Sequence, residues 1–343
     1  MMPSMSKAIR IYKSGGPEVL EFEDIGEIGD PGPNEVVIEQ MFAGLNLVDT
    51  YHRAGLYKKT FPFTPGVEAA GVVKRIGENV KDLREGDLVT YVSFGLGAYA
   101  EERVIDANYV LKIPDAISAE QAAASLHKGM TAEYILNNPF TSVETNFIKP
   151  GTNVMLYAAA GGVGHIACQW AKDMGANVIG VVSTEEKAEF AKAHGCAHTI
   201  LFNKKSNEQD FIRAVMDKTG GEGVPIIYDS VGRDTFGMSL KCLPKSGGGL
   251  LVSYGNASGP LPSVNFLEIE GSPAIVRPKL IDYIESLERR RASAHSFLDM
   301  VASGKIKIEI NQRYSLDNAA QAQRELGNRE TTGSSVLTMA PEY

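Results

Sequence analysis

The chain has 343 residues, 43% hydrophobic and 22% charged, with a formal net charge of −8. That length exceeds what one core usually organises, so two domains are expected. The composition excludes a disordered chain or a fibre, and the acidic balance argues against a nucleic-acid partner. Cys168, Cys196 and Cys242 stand far apart with no C-x-x-C pair. Neither a disulfide framework nor a cysteine zinc lobe is therefore expected, and a reducing, cytoplasmic compartment fits. No apolar run approaches the roughly 20 residues that span a bilayer, and residues 1–7 lack the apolar core of a secretory signal.

The first third reads as β-rich. Short β-branched runs at 36–39, 71–76 and 87–92 are bounded by turn signals such as Asp30-Pro31-Gly32-Pro33 and Glu85-Gly86-Asp87. Closely spaced short strands of this kind suggest a compact barrel-like domain. The texture changes near Ser118: residues 119–136 are alanine-rich and read as a helix interrupted by Gly129.

From Asn153 the pattern becomes a strict alternation. Strands are expected at 153–158, 177–182, 199–202, 224–229 and 250–254. Between them, Val163, Ile166, Ala167, Trp170, Ala171 and Met174 form the apolar stripe of one helix. Ser183 and Glu186 form an S-x-x-E capping box for the next helix. Further helices are expected at 208–218 and 235–243. Repeated β-α-β with short connections predicts a parallel sheet covered on both faces. After Gly259 the alternation stops. A helix at 279–302, a strand at 306–310, a helix at 316–327 and a strand at 335–339 are expected to pack back on the N-terminal domain.

The motif Ala158-Ala159-Ala160-Gly161-Gly162-Val163-Gly164 lies between the first strand of the alternation and its helix. Glycine lets a backbone approach a pyrophosphate, and the helix N-terminus offers free N–H groups. With the strand, the stripe and the second βα unit in place, the context is that of a dinucleotide-binding Rossmann unit. NAD sites usually carry an acidic residue at the end of the second strand; here Ser183 and Thr184 stand there, with Glu185 and Glu186 just inside the helix. Lys187 is placed to meet a 2′-phosphate, or is a solvated lysine on an exposed face. NADP(H) is favoured over NAD(H), and the two glutamates weigh the other way.

Several segments together carry a family resemblance. They are Gly15-Gly16-Pro17-Glu18-Val19-Leu20, Asn46-Leu47-Val48-Asp49-Thr50-Tyr51, Arg53-Ala54-Gly55-Leu56-Tyr57, Gly66-Val67-Glu68-Ala69-Ala70-Gly71, the glycine loop, Tyr228-Asp229-Ser230-Val231-Gly232 and Thr332-Gly333-Ser334-Ser335. Over nearly its whole length the chain resembles the zinc-independent, zeta-crystallin-like NADPH:quinone oxidoreductases of the medium-chain dehydrogenase/reductase superfamily. The resemblance implies an α/β fold in which a Rossmann doubly wound parallel sheet is inserted into a β-rich GroES-like catalytic domain. Residues 1–130 and 279–343 would form the catalytic domain and 131–278 the NADP(H)-binding domain. It also implies an active site in the interdomain cleft and a homodimer. Zinc-dependent relatives carry a histidine where Val67 stands and a cysteine just upstream, where this chain has Ala43-Gly44-Leu45-Asn46. A metal-free site is thus expected, suited to an electron-poor acceptor such as a quinone rather than to an unactivated alcohol.

By the same resemblance, Asn46, Tyr51 and Tyr57 lie about the nicotinamide and the acceptor. The tyrosines are either hydroxyl donors to a developing oxyanion or partly buried scaffold. Asp49 accompanies them and holds the loop. The cofactor would be met by Asn46, Asp49, Tyr134, Gly161, Gly162, Val163, Ser183, Lys187, Phe202, Ser230, Ser253, Tyr254, Gly255, Arg277 and Arg329. Phe202 stands where close relatives have a tyrosine, so it can stack but not donate. Arg289-Arg290-Arg291 reads as a solvated helix face, and Cys168 as a small core-facing residue. The expected function is NADPH-dependent quinone reduction. The alternatives are an NADPH-dependent enal/enone double-bond reductase, or a nucleotide-binding protein with a structural or RNA-binding role.

Overall fold

The computed structural model describes residues 5–137, 140 and 148–339. They divide into two compact units. The first comprises Met1–Lys128, Glu285–Ser303 and Ile308–Tyr343; the second comprises Gly129–Ile284 and Gly304–Lys307.

The first unit opens with β1 (Ser6–Arg10) antiparallel to β2 (Glu21–Gly26). Its organising strand is β3 (Glu35–Gly44), rich in β-branched and aromatic residues that suit a pleated, half-buried surface. Helix α1 (Leu47–Ala54) follows, then β4 (Glu68–Ile76), β5 (Leu88–Val92), β6 (Glu102–Asp106) and β7 (Val110–Lys112). Helix α2 (Ala119–Asn137) runs on through Gly129 without a break, its residues up to Lys128 belonging to the first unit and those from Gly129 to the second. The residues around that glycine are buried, and packing there offsets the ~1 kcal/mol that a mid-helix glycine costs.

The second unit alternates β8 (Asn153–Tyr157), α3 (Gly162–Asp173), β9 (Asn177–Val182), α4 (Glu185–Ala193), β10 (His198–Leu201), α5 (Glu208–Lys218), β11 (Ile226–Asp229), α6 (Phe236–Lys241) and β12 (Leu250–Ser253). A sixth strand, β13 (Ala274–Val276), and a short helix, α7 (Leu280–Tyr283), complete it. All six strands are parallel, in the order β10-β9-β8-β11-β12-β13. The order reverses between β8 and β11, which is the doubly wound Rossmann arrangement. Met155, Tyr157, Ile179, Phe211, Ile227 and Leu251 belong to a buried cluster in this unit.

The chain then returns to the first unit through α8 (Leu287–Ala302), β14 (Ile310–Ser315), α9 (Ala319–Gly327) and β15 (Ser334–Thr338). Strand β15 pairs antiparallel with the end of β3, Val336 opposite Gly44. The C-terminal segment thus joins a seven-stranded sheet of order β14-β15-β3-β4-β5-β7, with β6 on β3. Leu316, Ala319, Ala322 and Leu337 share a buried cluster with Ile38, Leu45 and Tyr99.

Several elements differ from the sequence-based expectation. The strand expected at 306–310 begins only at Ile310, because the Gln169 side chain takes the backbone of Lys307 instead. Its Oε1 accepts from Lys307 N at 2.9 Å, and its Nε2 donates to Lys307 O at 3.0 Å. The helix expected at 279–302 is two helices, since the Ser286 hydroxyl accepts from Arg289 N at 3.2 Å and starts α8 afresh. The cap of α4 is Thr184, whose hydroxyl accepts from Lys187 N at 3.3 Å, one residue beyond the expected Ser183 box. Arg290 is not on a solvated face. Its guanidinium lies 4.0 Å over the Tyr109 ring and donates to Glu285 O at 3.1 Å.

Candidate active site

In the second unit the strand ends at the reversal point are shaped by backbone crowding and one carboxylate. Gly164, in the first turn of α3, has no room for a side chain: a Cβ there would sit 2.1 Å from Ala158 O and 2.8 Å from Ala159 Cα. The start of α3 is thereby held against the end of β8, with Gly161, whose N–H donates to Ala158 O at 2.9 Å, as its N-cap and Gly162 and Val163 in its first turn, the end of a helix that favours an anion. Asp229, at the end of β11, fixes the following turn. Its Oδ1 accepts from Val231 N at 2.8 Å and Gly232 N at 3.1 Å, and Thr235 donates to its Oδ2 at 2.7 Å. Burial nevertheless pushes its carboxyl above the usual range. Ser230 follows on this turn. Ser253, at the end of β12, is fully buried and its Oγ has no hydrogen-bond partner. A crowded glycine turn, a helix N-terminus and an orphaned hydroxyl beside the reversal point fit a dinucleotide.

The other expected cofactor residues of this unit are spread around that sheet. Ser183 directly follows β9, and its carbonyl accepts from Asn203 Nδ2 at 3.2 Å. Lys187 lies in the first turn of α4. Phe202 packs edge-on to Phe211 with ring centroids 5.0 Å apart, at the border of the buried cluster. Tyr254 N donates to Asp229 O at 2.9 Å, with Gly255 next in the chain. Arg277 Nη1 donates to Ser253 O at 3.3 Å. Tyr134 stacks on Tyr283 at 4.3 Å. Arg329 belongs to the first unit, where it is exposed in a left-handed turn (φ 63°) after α9.

In the first unit, the segment after β3 gathers a polar cluster. Asn46 caps α1, and the Asp49 carboxylate accepts from Asn46 N at 2.9 Å and from the Tyr99 hydroxyl at 2.8 Å. Asp49 is fully buried and its Oδ1 has no partner. Burial raises its carboxyl to about 7, with the Tyr99 and Asn46 hydrogen bonds opposing. The Asn46 side chain makes its bonds elsewhere. Its Nδ2 donates to Glu68 Oε1 at 2.8 Å and to Gly44 O at 3.3 Å, while its Oδ1 faces His127 Nδ1 at 3.1 Å. Glu68 also accepts from Lys128 Nζ at 2.8 Å and from His127 N at 2.7 Å. Loss of solvent lowers His127 to about 4, so its imidazole is neutral near pH 7. Tyr51 and Tyr57 are brought together, edge to face at 5.6 Å, with Tyr57 N donating to Tyr51 O at 3.3 Å. His52 lies beside Tyr57, ring centroids 5.8 Å apart, and burial lowers it to about 4.

Glu68, Tyr99, His127, Lys128 and Asp229 were not among the expected site residues. Glu68 and Asp229 lie inside motifs that carry the resemblance, which was the available signal. His127 and Lys128 had none, because their partners are about 60 to 80 residues away. Among the described residues, no three or more His, Cys, Asp or Glu side chains gather as a metal site. The first unit can supply hydroxyl donors to charge developing on an oxygen, and a neutral histidine next to a fixed amide.

Two family models match the chain. An alcohol dehydrogenase GroES-like domain covers residues 32–115, and a zinc-binding dehydrogenase covers residues 162–286. Together with the fold, they define a medium-chain dehydrogenase/reductase. A quinone oxidoreductase of Pseudomonas aeruginosa is 43% identical over 336 residues, 97% of this chain and 99% of that protein. A 2-haloacrylate reductase of a Burkholderia species is 39% identical over 342 residues, again 97% and 99%. The crystal structure of Escherichia coli quinone oxidoreductase complexed with NADPH matches with a TM-score of 0.90 at 40% identity, covering 97% of this chain and 99% of that one. The chain belongs to the quinone oxidoreductase family of the medium-chain dehydrogenase/reductase superfamily.

Proposed function

We propose that this protein reduces quinones with NADPH. The observation that carries the reading is the near-full-length relation to quinone oxidoreductases, one of them solved with NADPH. The cofactor, when bound, supplies a hydride equivalent to an electron-poor acceptor. Gly161, Gly162 and Val163 would cradle its pyrophosphate, with Ser183 and Lys187 at the adenosine phosphate. Phe202, Ser230, Ser253, Tyr254, Gly255, Arg277, Tyr134 and Arg329 complete its binding set with Asp49, whose carboxylate holds the Asn46 backbone N–H. Asn46 orients the reacting ring, and Tyr51 and Tyr57 donate hydrogen bonds to the acceptor oxygen as it gains charge. The catalytic domain in this reading is 1–130 with 279–343, and the cofactor domain 131–278. No helix among the described residues is long and apolar enough to cross a membrane. A homodimer in the cytoplasm is part of the proposal.

A second reading, reduction of an activated carbon–carbon double bond, is favoured by the likeness to the 2-haloacrylate reductase. The two are separated by steady-state NADPH oxidation with small benzo- and naphthoquinones set against enones and haloacrylates. Turnover with quinones is expected. Silence with every quinone, with an enone or haloacrylate reduced, would replace the first reading with the second.

A further inference from the structure

We infer that Glu68, pinned by Lys128, is the positioning residue that sets which way the Asn46 amide faces and which nitrogen of His127 carries the proton. This deepens the functional reading above and rests on its placing Asn46 in the site. The Glu68 carboxylate has 0% exposure, and the lysine opposite it is 4% exposed. The two form a buried ion pair 2.8 Å apart, and a carboxylate only accepts. The Asn46 atom 2.8 Å from Glu68 Oε1 must therefore be the amide nitrogen. Its second N–H goes to Gly44 O. Both amide donors are then used, and the side chain has only the lone pairs of its Oδ1, one of them facing His127, left to accept.

The constraint propagates one residue further. Asn46 Oδ1 lies 3.1 Å from His127 Nδ1 and can only accept, so Nδ1 carries the hydrogen. With His127 neutral, its Nε2 is the lone-pair nitrogen. One carboxylate thus fixes an amide orientation and a histidine tautomer in sequence. The surrounding backbone leaves this carboxylate little freedom. Oε2 accepts from His127 N at 2.7 Å, and a Cβ at Gly44 would lie 2.2 Å from both Glu68 Oε1 and Ala123 O. Glycine at 44 is what lets β3 approach the acid so closely. Asn46 therefore meets a cofactor or acceptor as a hydrogen-bond acceptor, suited to an N–H or O–H partner such as a carboxamide amine, and not as a donor.

The test has a spectroscopic arm and a kinetic arm on the full-length enzyme. Selective 15N-histidine NMR at pH 7 should show His127 neutral with its proton on Nδ1; a proton on Nε2, or a charged ring, overturns the proposal. Glu68→Gln, whose side-chain amide can itself donate, should weaken that Nδ1–H signal. It should also lower kcat with a quinone about tenfold, the scale of one charge-assisted hydrogen bond. The KM for NADPH should stay within about twofold, as for a lost alignment rather than a lost binding contact. In an Asn46→Ala background the same Glu68→Gln change should add nothing, because it acts through Asn46. Additive losses would reduce Glu68 to a structural residue and overturn the proposal. An Asn46→Ala enzyme with unchanged rates would remove Asn46 from the site and so sink the functional reading, while the tautomer still decides the orientation. If Glu68→Gln does not accumulate, Glu68→Gln/Lys128→Met removes the ion pair as a unit and serves in its place.

Discussion

At the scale of single residues, the fully buried Asp49 offers a direct test. Its burial and orphaned oxygen describe a carboxyl that the fold prefers protonated, at about 7. The unfolded chain releases that proton near pH ~4. Between these values the native state holds more protons than the unfolded one, so this carboxyl destabilises the fold increasingly as pH rises from ~4 to about 7. Asp49→Asn keeps an acceptor for Asn46 N and Tyr99 and removes the titration. The melting temperature of the variant, measured relative to the parent protein, should rise between pH 5 and pH 8. A difference constant across that range would show that Asp49 is ionised throughout. The sequence revealed half of this cluster. Asn46 and Asp49 are three apart at a helix start, a spacing that local rules recognise. Glu68, Tyr99 and Lys128 reach the same point from β4, the segment before β6 and α2, and such convergence is decided by sheet pairing that no local pattern encodes.

At the scale of elements, the parallel sheet was legible and its last strand was not. The glycine loop, the apolar stripe of α3 and five buried strands repeat one another, and repetition is a strong signal. Strand β13 is three residues between Pro273 and Pro278, too short for a period to show. Likewise β14 starts late because a glutamine side chain intercepts its approach. Among the described strands, β13 has a neighbour on one side only, so it is an edge with unpaired backbone groups. Leu267, just before it, is 96% exposed. An open edge beside a bare leucine suits pairing with a second copy of the chain. Light scattering should give twice the chain mass of 37.0 kDa. Leu267→Asp should shift the protein toward monomer at micromolar concentration. A parent protein that runs as a monomer contradicts the dimer; an unmoved variant contradicts this edge as its seam.

At the scale of the whole molecule, the sequence announced that the chain leaves its first domain and returns to it. The alternation that the sequence shows stops near residue 259, so the residues that follow are expected to belong elsewhere; β13 still joins the parallel sheet, and β15 returns to the first unit by pairing with β3. The preference for a phosphorylated dinucleotide is less legible, because it depends on where one lysine points. Ser183 and Lys187 favour the phosphate, while Glu185 and Glu186 share the same first turn of α4. That balance of charge, and the claim that the second unit holds the reductant, are both read by one experiment: calorimetric titration of the protein with NADPH and NADH, repeated on Lys187→Ala. NADPH should bind more tightly than NADH. The variant should lose about tenfold in NADPH affinity with NADH little changed, the scale of one charge-assisted phosphate contact. Equal losses for both nucleotides would remove Lys187 as the phosphate partner, and absence of NADPH binding to the parent protein would contradict the assignment of the second unit as the cofactor domain.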